Sequence, residues 1–184
     1  MKTRAVPLAL CSGLLLAAAT FPTALHADDA PATNQAKLYD ETADGQKQVA
    51  DAVAVAGKEH KRILLQFGAN WCGWCHKLHG LFERDKSIRD ELKADYVIAL
   101  IDVNQGHNKN LVNQYGAKGF GLPFLVVLES DGKFLIAKHS DDFEEGDHHN
   151  PQKVLAFLKE MAPKRQAMPP GDQSQTGNER HANS

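Results

Sequence analysis

Two cysteines set two residues apart, Cys72-Gly73-Trp74-Cys75, constrain this chain more than any other feature. They follow Ile63-Leu64-Leu65-Gln66-Phe67, an apolar run of strand length that Gly68 ends. Beyond them Leu78, Leu81 and Phe82 recur at helical spacing. The pair is therefore expected where a strand stops and a helix starts, at the carboxyl edge of a sheet, where α/β folds keep their chemistry. A bridge across two residues closes almost no loop and adds little stability. Its value must lie in reactivity.

At a helix start the unpaired backbone N–H groups and the positive end of the dipole favour a thiolate at Cys72. The dipole contributes up to ~2 kcal/mol, roughly 1.5 pKa units. Cys75, about one helical turn on, is placed to attack the Cys72 sulfur once that sulfur carries a mixed disulfide. Gly73 relieves crowding, and Trp74 sets shape and polarity beside the sulfurs. Trp71, next to Cys72, is read as a shield for the sulfur rather than a cap on the core edge.

The rest of the chain alternates strands and helices. Asp44 caps a helix running to Glu59, with Val49, Val53 and Ala56 on one face. After the cysteine helix come a helical stretch from Ser87 to Lys93, a strand from Tyr96 to Val103, and a short helix from Asn108 to Tyr115. Phe124 to Glu129 and Lys133 to Lys138 form a hairpin around Asp131-Gly132. Asn150-Pro151 opens a last helix carrying Val154, Leu155, Leu158 and Met161. The acidic, His-rich stretch from His139 to His149 is read as a solvated loop. Such an order implies an α/β fold, a central mixed β-sheet flanked by helices.

The ends read differently. Lys2 and Arg4, the apolar run Leu8 to Ala19 and the small residue Ala27 form a secretory signal over residues 1–27. Its apolar run is too short to span a bilayer. Cys11 leaves with it, so the exported chain carries only Cys72 and Cys75. Residues 28–36 read as a linker, 37–162 as the folded domain and 163–184 as a polar, disordered tail. The expected location is periplasmic or secreted.

Trp71-Cys72-Gly73-Trp74-Cys75, then Ile101-Asp102-Val103-Asn104, Tyr115-Gly116 and Leu122-Pro123, together resemble the thioredoxin superfamily. The set is most similar to exported members related to the C-terminal thioredoxin-like domain of DsbD, and spans about Leu38 to Met161. The resemblance implies a thioredoxin-like fold and a cis peptide before Pro123. It sets the Leu122 backbone beside the sulfurs to pair with a substrate strand. It also implies that Cys72 is the exposed nucleophile and Cys75 the buried resolving thiol. Thioredoxin itself has a buried Asp and a Lys where this chain has Gln66 and Ile98, so the underside of the site is expected to be neutral. Proton transfer is then expected through water or substrate. Phe124 stands where a Thr commonly follows the cis-proline, and Gly119-Phe120-Gly121 lengthens the approach to it.

Other chemistries compete for the same residues. Cys72 to His76 also matches the Cys-x-x-Cys-His pattern of haem attachment, against which the strand–turn–helix setting speaks. A metal site from Cys72, Cys75, His76 and His79 would need ligands from two rotated helix faces. A binding or chaperone module that merely keeps the disulfide is the non-enzymatic alternative. The expected function is thiol–disulfide exchange on protein thiols and disulfides, with no cofactor beyond the Cys72–Cys75 couple. It calls for a further redox donor or acceptor, membrane-bound if the protein is a reductant. A net charge of -2 gives no reason to expect nucleic acid, and a monomer is the default.

Overall fold

The computed structural model describes residues 37–164. The expected signal, the linker and residues 165–184 of the expected tail lie outside the described residues. Among the described residues no helix is long and apolar enough to cross a membrane.

Alternation along two strands explains the layering. In the strand β1 (Arg62–Gly68), Ile63, Leu65 and Phe67 enter one apolar cluster, while Leu64 enters the other. In β3 (Phe124–Leu128), Phe124, Val126 and Leu128 join the first cluster, and Leu125 and Val127 the second. Period-two side chains on strands buried from both sides give a sheet with a core on each face. The sheet order is β2-β1-β3-β4, with β2 spanning Tyr96–Asp102 and β4 spanning Phe134–His139. The β1–β2 pair is parallel; β1–β3 and β3–β4 are antiparallel. The mixed α/β sheet expected from the sequence is the one observed.

Helices α1 (Gly45–Glu59) and α4 (Lys109–Gln114) contribute Ala52, Ala56 and Leu111 to the first core. Helices α2 (Gly73–Arg84), α3 (Lys86–Asp95) and α5 (Pro151–Met161) fill the second with Leu78, Phe82, Ile88, Val154 and Leu158. Helix starts follow local chemistry. The Asp44 carboxylate accepts from the N–H groups of Gln46 and Lys47, and Asn150 does the same for Gln152 and Lys153. Asp85 separates α2 from α3 by capping the latter at the Ile88 N–H. At the β3–β4 turn the Gly132 N–H donates to the Glu129 carbonyl at 2.9 Å, with Gly132 at φ 86°.

One expectation needs correction. The stretch from His139 to His149 is no solvated loop. His139 ends β4, Asp141–Phe143 makes a helical turn, and β5 (Glu144–Glu145) pairs antiparallel with β6 (His148–His149). Gly146, at φ 63°, turns the ribbon. Phe143 is the anchor: it is buried in the second core with its ring centroid 5.4 Å from that of Phe157. One aromatic among so many acids pulls the whole segment down. His149 goes with it. It is only 3% exposed, and neither ring nitrogen has a hydrogen-bond partner among the described residues.

Two outcomes follow from this ribbon. Phe143→Ala should destabilise the chain by about 3–5 kcal/mol through a cavity in the second core, read as a lower midpoint in urea. Burial, with the Lys77 and His148 charges adding to it, lowers the His149 pKa from 6.5 to about 4. The unfolded chain therefore binds the extra proton first as pH falls. The stability contribution is complete above pH 6.5 and is lost on acidification towards pH 4, by up to about 3 kcal/mol. His149→Phe should flatten the urea midpoint between pH 7 and pH 4.5; an unchanged slope would assign the acid limb to other groups.

Candidate functional site

β1 delivers the chain to the site at Gly68, and three residues then carry it to α2. The Cys72 N–H donates to the Ala69 carbonyl at 3.0 Å, closing that turn. Cys72 is extended at φ -80°, ψ 100° and is the N-cap of α2. Its sulfur accepts the Cys75 N–H at 3.1 Å, one of the helix's otherwise unpaired first-turn donors. Cys72 and Cys75 are joined in a disulfide with Cα atoms 5.2 Å apart. Cys75 is fully buried and Cys72 is 5% exposed, less open than the resemblance implied. What access there is leads to Cys72.

Several other sequence-selected residues meet the pair. Leu122 and Trp74, together with Leu38 and Leu100, pack against the buried cluster of Tyr39, Cys72 and Cys75. The Leu122-Pro123 peptide is cis. Gly73 meets no atom where a side chain would begin, so the first turn of α2 stays open there. Trp74 lies between two partners: the Lys77 ammonium stands 4.5 Å from its ring, and His149 meets it edge-on at 5.1 Å between centroids. Lys77 also donates to the Asp147 carbonyl, tying α2 to the ribbon. Trp71 is 69% exposed, so it projects into solvent, its indole N–H held by Asn104 Oδ1 at 2.9 Å. It does not cap the core, and Trp74 and Leu122, not Trp71, pack against the cluster that holds the cysteines.

Three residues beneath the pair were not foreseen. Asn70 accepts from the N–H groups of Leu38 and Tyr39, each at 2.8 Å, and donates to the Tyr39 carbonyl at 2.9 Å. That clasp carries Tyr39 under the sulfurs, where it is 1% exposed. Gly68 makes the room. A Cβ there would stand 2.3 Å from the Tyr39 hydroxyl oxygen and 2.6 Å from Cys75 Sγ. The buried Gln66 amide donates to that hydroxyl oxygen at 2.8 Å and to the Cys75 carbonyl at 3.3 Å. Asp102 is the third. It sits opposite Gly68 in the parallel register, is buried, and its Oδ1 has no hydrogen-bond partner among the described residues.

The underside is thus polar, with a carboxylate at its edge, although Gln66 itself is neutral. Ile98 is not its cross-strand neighbour: Gln66 faces Leu100, and Ile98 sits beside Leu64, partly exposed on the edge strand. His76 turns back to the loop, with Nε2 2.9 Å from the Asn70 carbonyl. His79 is half-buried against Phe82 and near Glu83, and burial lowers its pKa. Among the described residues no group of three or more His, Cys, Asp or Glu side chains is placed to hold a metal ion.

A family model described as a thioredoxin-like domain matches residues 49–139. A protein disulfide-isomerase of Ricinus communis is 40% identical over 77 residues, which are 42% of this chain and 15% of that protein. The chain thus spans a small part of the curated relative's length. The crystal structure of a disulphide isomerase from Xylella fastidiosa Temecula1 is 32% identical with a TM-score of 0.60, over 67% of this chain and 95% of that one. The oxidised C-terminal domain of DsbD from Neisseria meningitidis is also similar, at 21% identity and a TM-score of 0.48, over 65% and 97% of the two chains. With its sheet, its cis-proline loop and a Cys-x-x-Cys disulfide at the start of α2, the chain belongs to the thioredoxin superfamily.

Proposed function

We propose that the chain exchanges disulfides with protein substrates in the cell envelope, as a reductase or isomerase. Cys72 is then the nucleophile and Cys75 the resolving thiol. The observation that carries this reading is the asymmetry of the pair. Cys72 keeps a small residual exposure and its sulfur accepts a helix N–H, while Cys75 is fully buried. The same N–H that meets the sulfur in the disulfide supports a thiolate once the bond opens.

In the reducing direction, the Cys72 thiolate attacks one sulfur of a substrate disulfide, and the other substrate sulfur leaves with the electron pair. Cys75 then attacks Cys72 Sγ, the mixed disulfide breaks, and the second substrate sulfur departs. Two electrons move from the cysteine pair to the substrate, and each departing thiolate takes up a proton. A donor dithiol restores the reduced pair. No further cofactor is needed. In an oxidising compartment the donor must itself be kept reduced, which calls for a membrane-borne partner.

Protein substrates fit the surface beside the pair. A cleft of about 340 Å³ abuts Leu122 and is lined by Val103, His107, Lys118, Phe120 and Phe124. Its apolar floor and basic rim suit a peptide better than a small thiol alone. The envelope location rests on the Lys2–Arg4 start and the Leu8–Ala19 run.

An insulin-reduction assay with dithiothreitol tests the activity. The wild-type protein should accelerate precipitation of the insulin B chain, and Cys72→Ser should drop to the uncatalysed rate. Cys75→Ser should instead accumulate a substrate-linked species on non-reducing gels. Equal rates for wild type and Cys72→Ser would leave a binding module as the better reading.

A further inference from the structure

The polar pocket beneath Cys75 has no duty in the exchange cycle just described, and it is costly. Tyr39, Gln66 and Asp102 are all buried, and two acceptors, Gln66 Oε1 and Asp102 Oδ1, have no hydrogen-bond partner among the described residues. An unmatched buried acceptor loses its bonds to water and gains none in return. A packed Leu at position 66 would avoid the expense.

Geometry shows what the pocket addresses. The Tyr39 hydroxyl oxygen and Cys75 Sγ crowd the same point above Gly68. Gln66 Nε2 donates to that oxygen, which uses one of its lone pairs and leaves the hydroxyl hydrogen to be offered elsewhere. A disulfide sulfur is a weak acceptor. A thiolate is a strong one.

We propose that Tyr39, held by Gln66, donates a hydrogen bond to the Cys75 sulfur when the disulfide opens, and so sets how readily Cys75 leaves and resolves. This rests on the thiol–disulfide reading above. When a donor thiolate attacks Cys72 Sγ, the Cys72–Cys75 bond breaks and its electron pair goes to Cys75 Sγ. The tyrosine proton stays on oxygen while it stabilises that charge. The proton Cys75 finally takes up comes from the donor dithiol, which supplies two electrons and two protons in all. Burial raises the Tyr39 pKa well above its ordinary value; the Gln66 bond opposes this and the Asp102 charge adds to it. The phenol is thus a donor and no base. The pocket stabilises the charge and moves no proton, so proton transfer stays with the donor in a site without the thioredoxin Asp.

Tyr39→Phe keeps the ring and removes the oxygen. The redox equilibrium of the Cys72–Cys75 couple with glutathione should move about tenfold towards the disulfide, or about 30 mV to lower potential. Release of thionitrobenzoate from a Cys72 mixed disulfide made with Ellman's reagent should slow by about threefold, because the less stabilised thiolate is scarcer but more nucleophilic. Gln66→Leu, which leaves the hydroxyl unanchored, should shift both in the same direction by less. Urea unfolding of the oxidised and reduced forms separates packing from chemistry. A merely structural tyrosine lowers both stabilities equally and leaves the glutathione equilibrium at the wild-type value, which would overturn the proposal. Because glutathione reads the couple directly, a wild-type failure on insulin would count against protein substrates without touching this result.

Discussion

Cys72 holds two positions at once, and the site depends on their coincidence. It is the N-cap of α2, and it is one half of the disulfide. A cap residue must be extended, with its side chain folded back on the first turn. That geometry points the sulfur at the Cys75 N–H and sets Cys75 on the first turn behind it. The coincidence requires β1 to stop at Gly68, because any side chain there would collide with both Tyr39 and Cys75. A sheet buried on both faces supplies the rigidity: Phe67, one residue earlier, is stacked 4.4 Å from Phe124 on the neighbouring strand.

The sequence displays what is local. Strands β1 and β3, the Asp44 and Asn150 caps and the Asp131-Gly132 turn each depend on residues within a few positions of one another, and each appears where its pattern places it. The disulfide and the cis-proline loop are legible for a related reason, as motifs with their own spacing. Tyr39, His149 and Asp102 are different. Tyr39 meets Gln66 across 27 positions and lies in a short segment with no apolar period. Its placement is decided by Asn70, 31 positions away, through three backbone hydrogen bonds that no pattern announces. His149 reads as one more polar residue in an acidic run until Phe143 drags that run onto the core. Asp102 ends a strand, and its burial opposite Gly68 depends on the pairing of β1 with β2 rather than on any local pattern.

The two sides of α2 have separate tasks. Its outer side presents Trp74, wedged between the Lys77 ammonium and the buried His149 ring. The ribbon from Glu144 to His149 thus supports a residue within the Cys-x-x-Cys loop although it is distant in sequence. Its under side meets Tyr39 and Gln66. The neutral Gln66 amide carries the same charge in both redox states, so the buried ground beneath Cys75 does not change as the bond opens and closes. A carboxylate in that place would be uncharged or charged depending on pH, and its unpaired ionised form would be costly to bury.

A disulfide spanning two residues adds almost nothing to the entropy balance of the fold. Opening it therefore does not loosen the scaffold, and the fold must hold in both states by other means. Those means are the two apolar clusters and the clasp of Asn70 on the Leu38–Tyr39 segment. In such a frame the energy of the redox step resides in the few atoms that touch the sulfurs. Small changes among Trp74, Leu122, Gln66 and Tyr39 then move the couple's equilibrium without moving the fold, because an exchange equilibrium shifts tenfold for only about 1.4 kcal/mol.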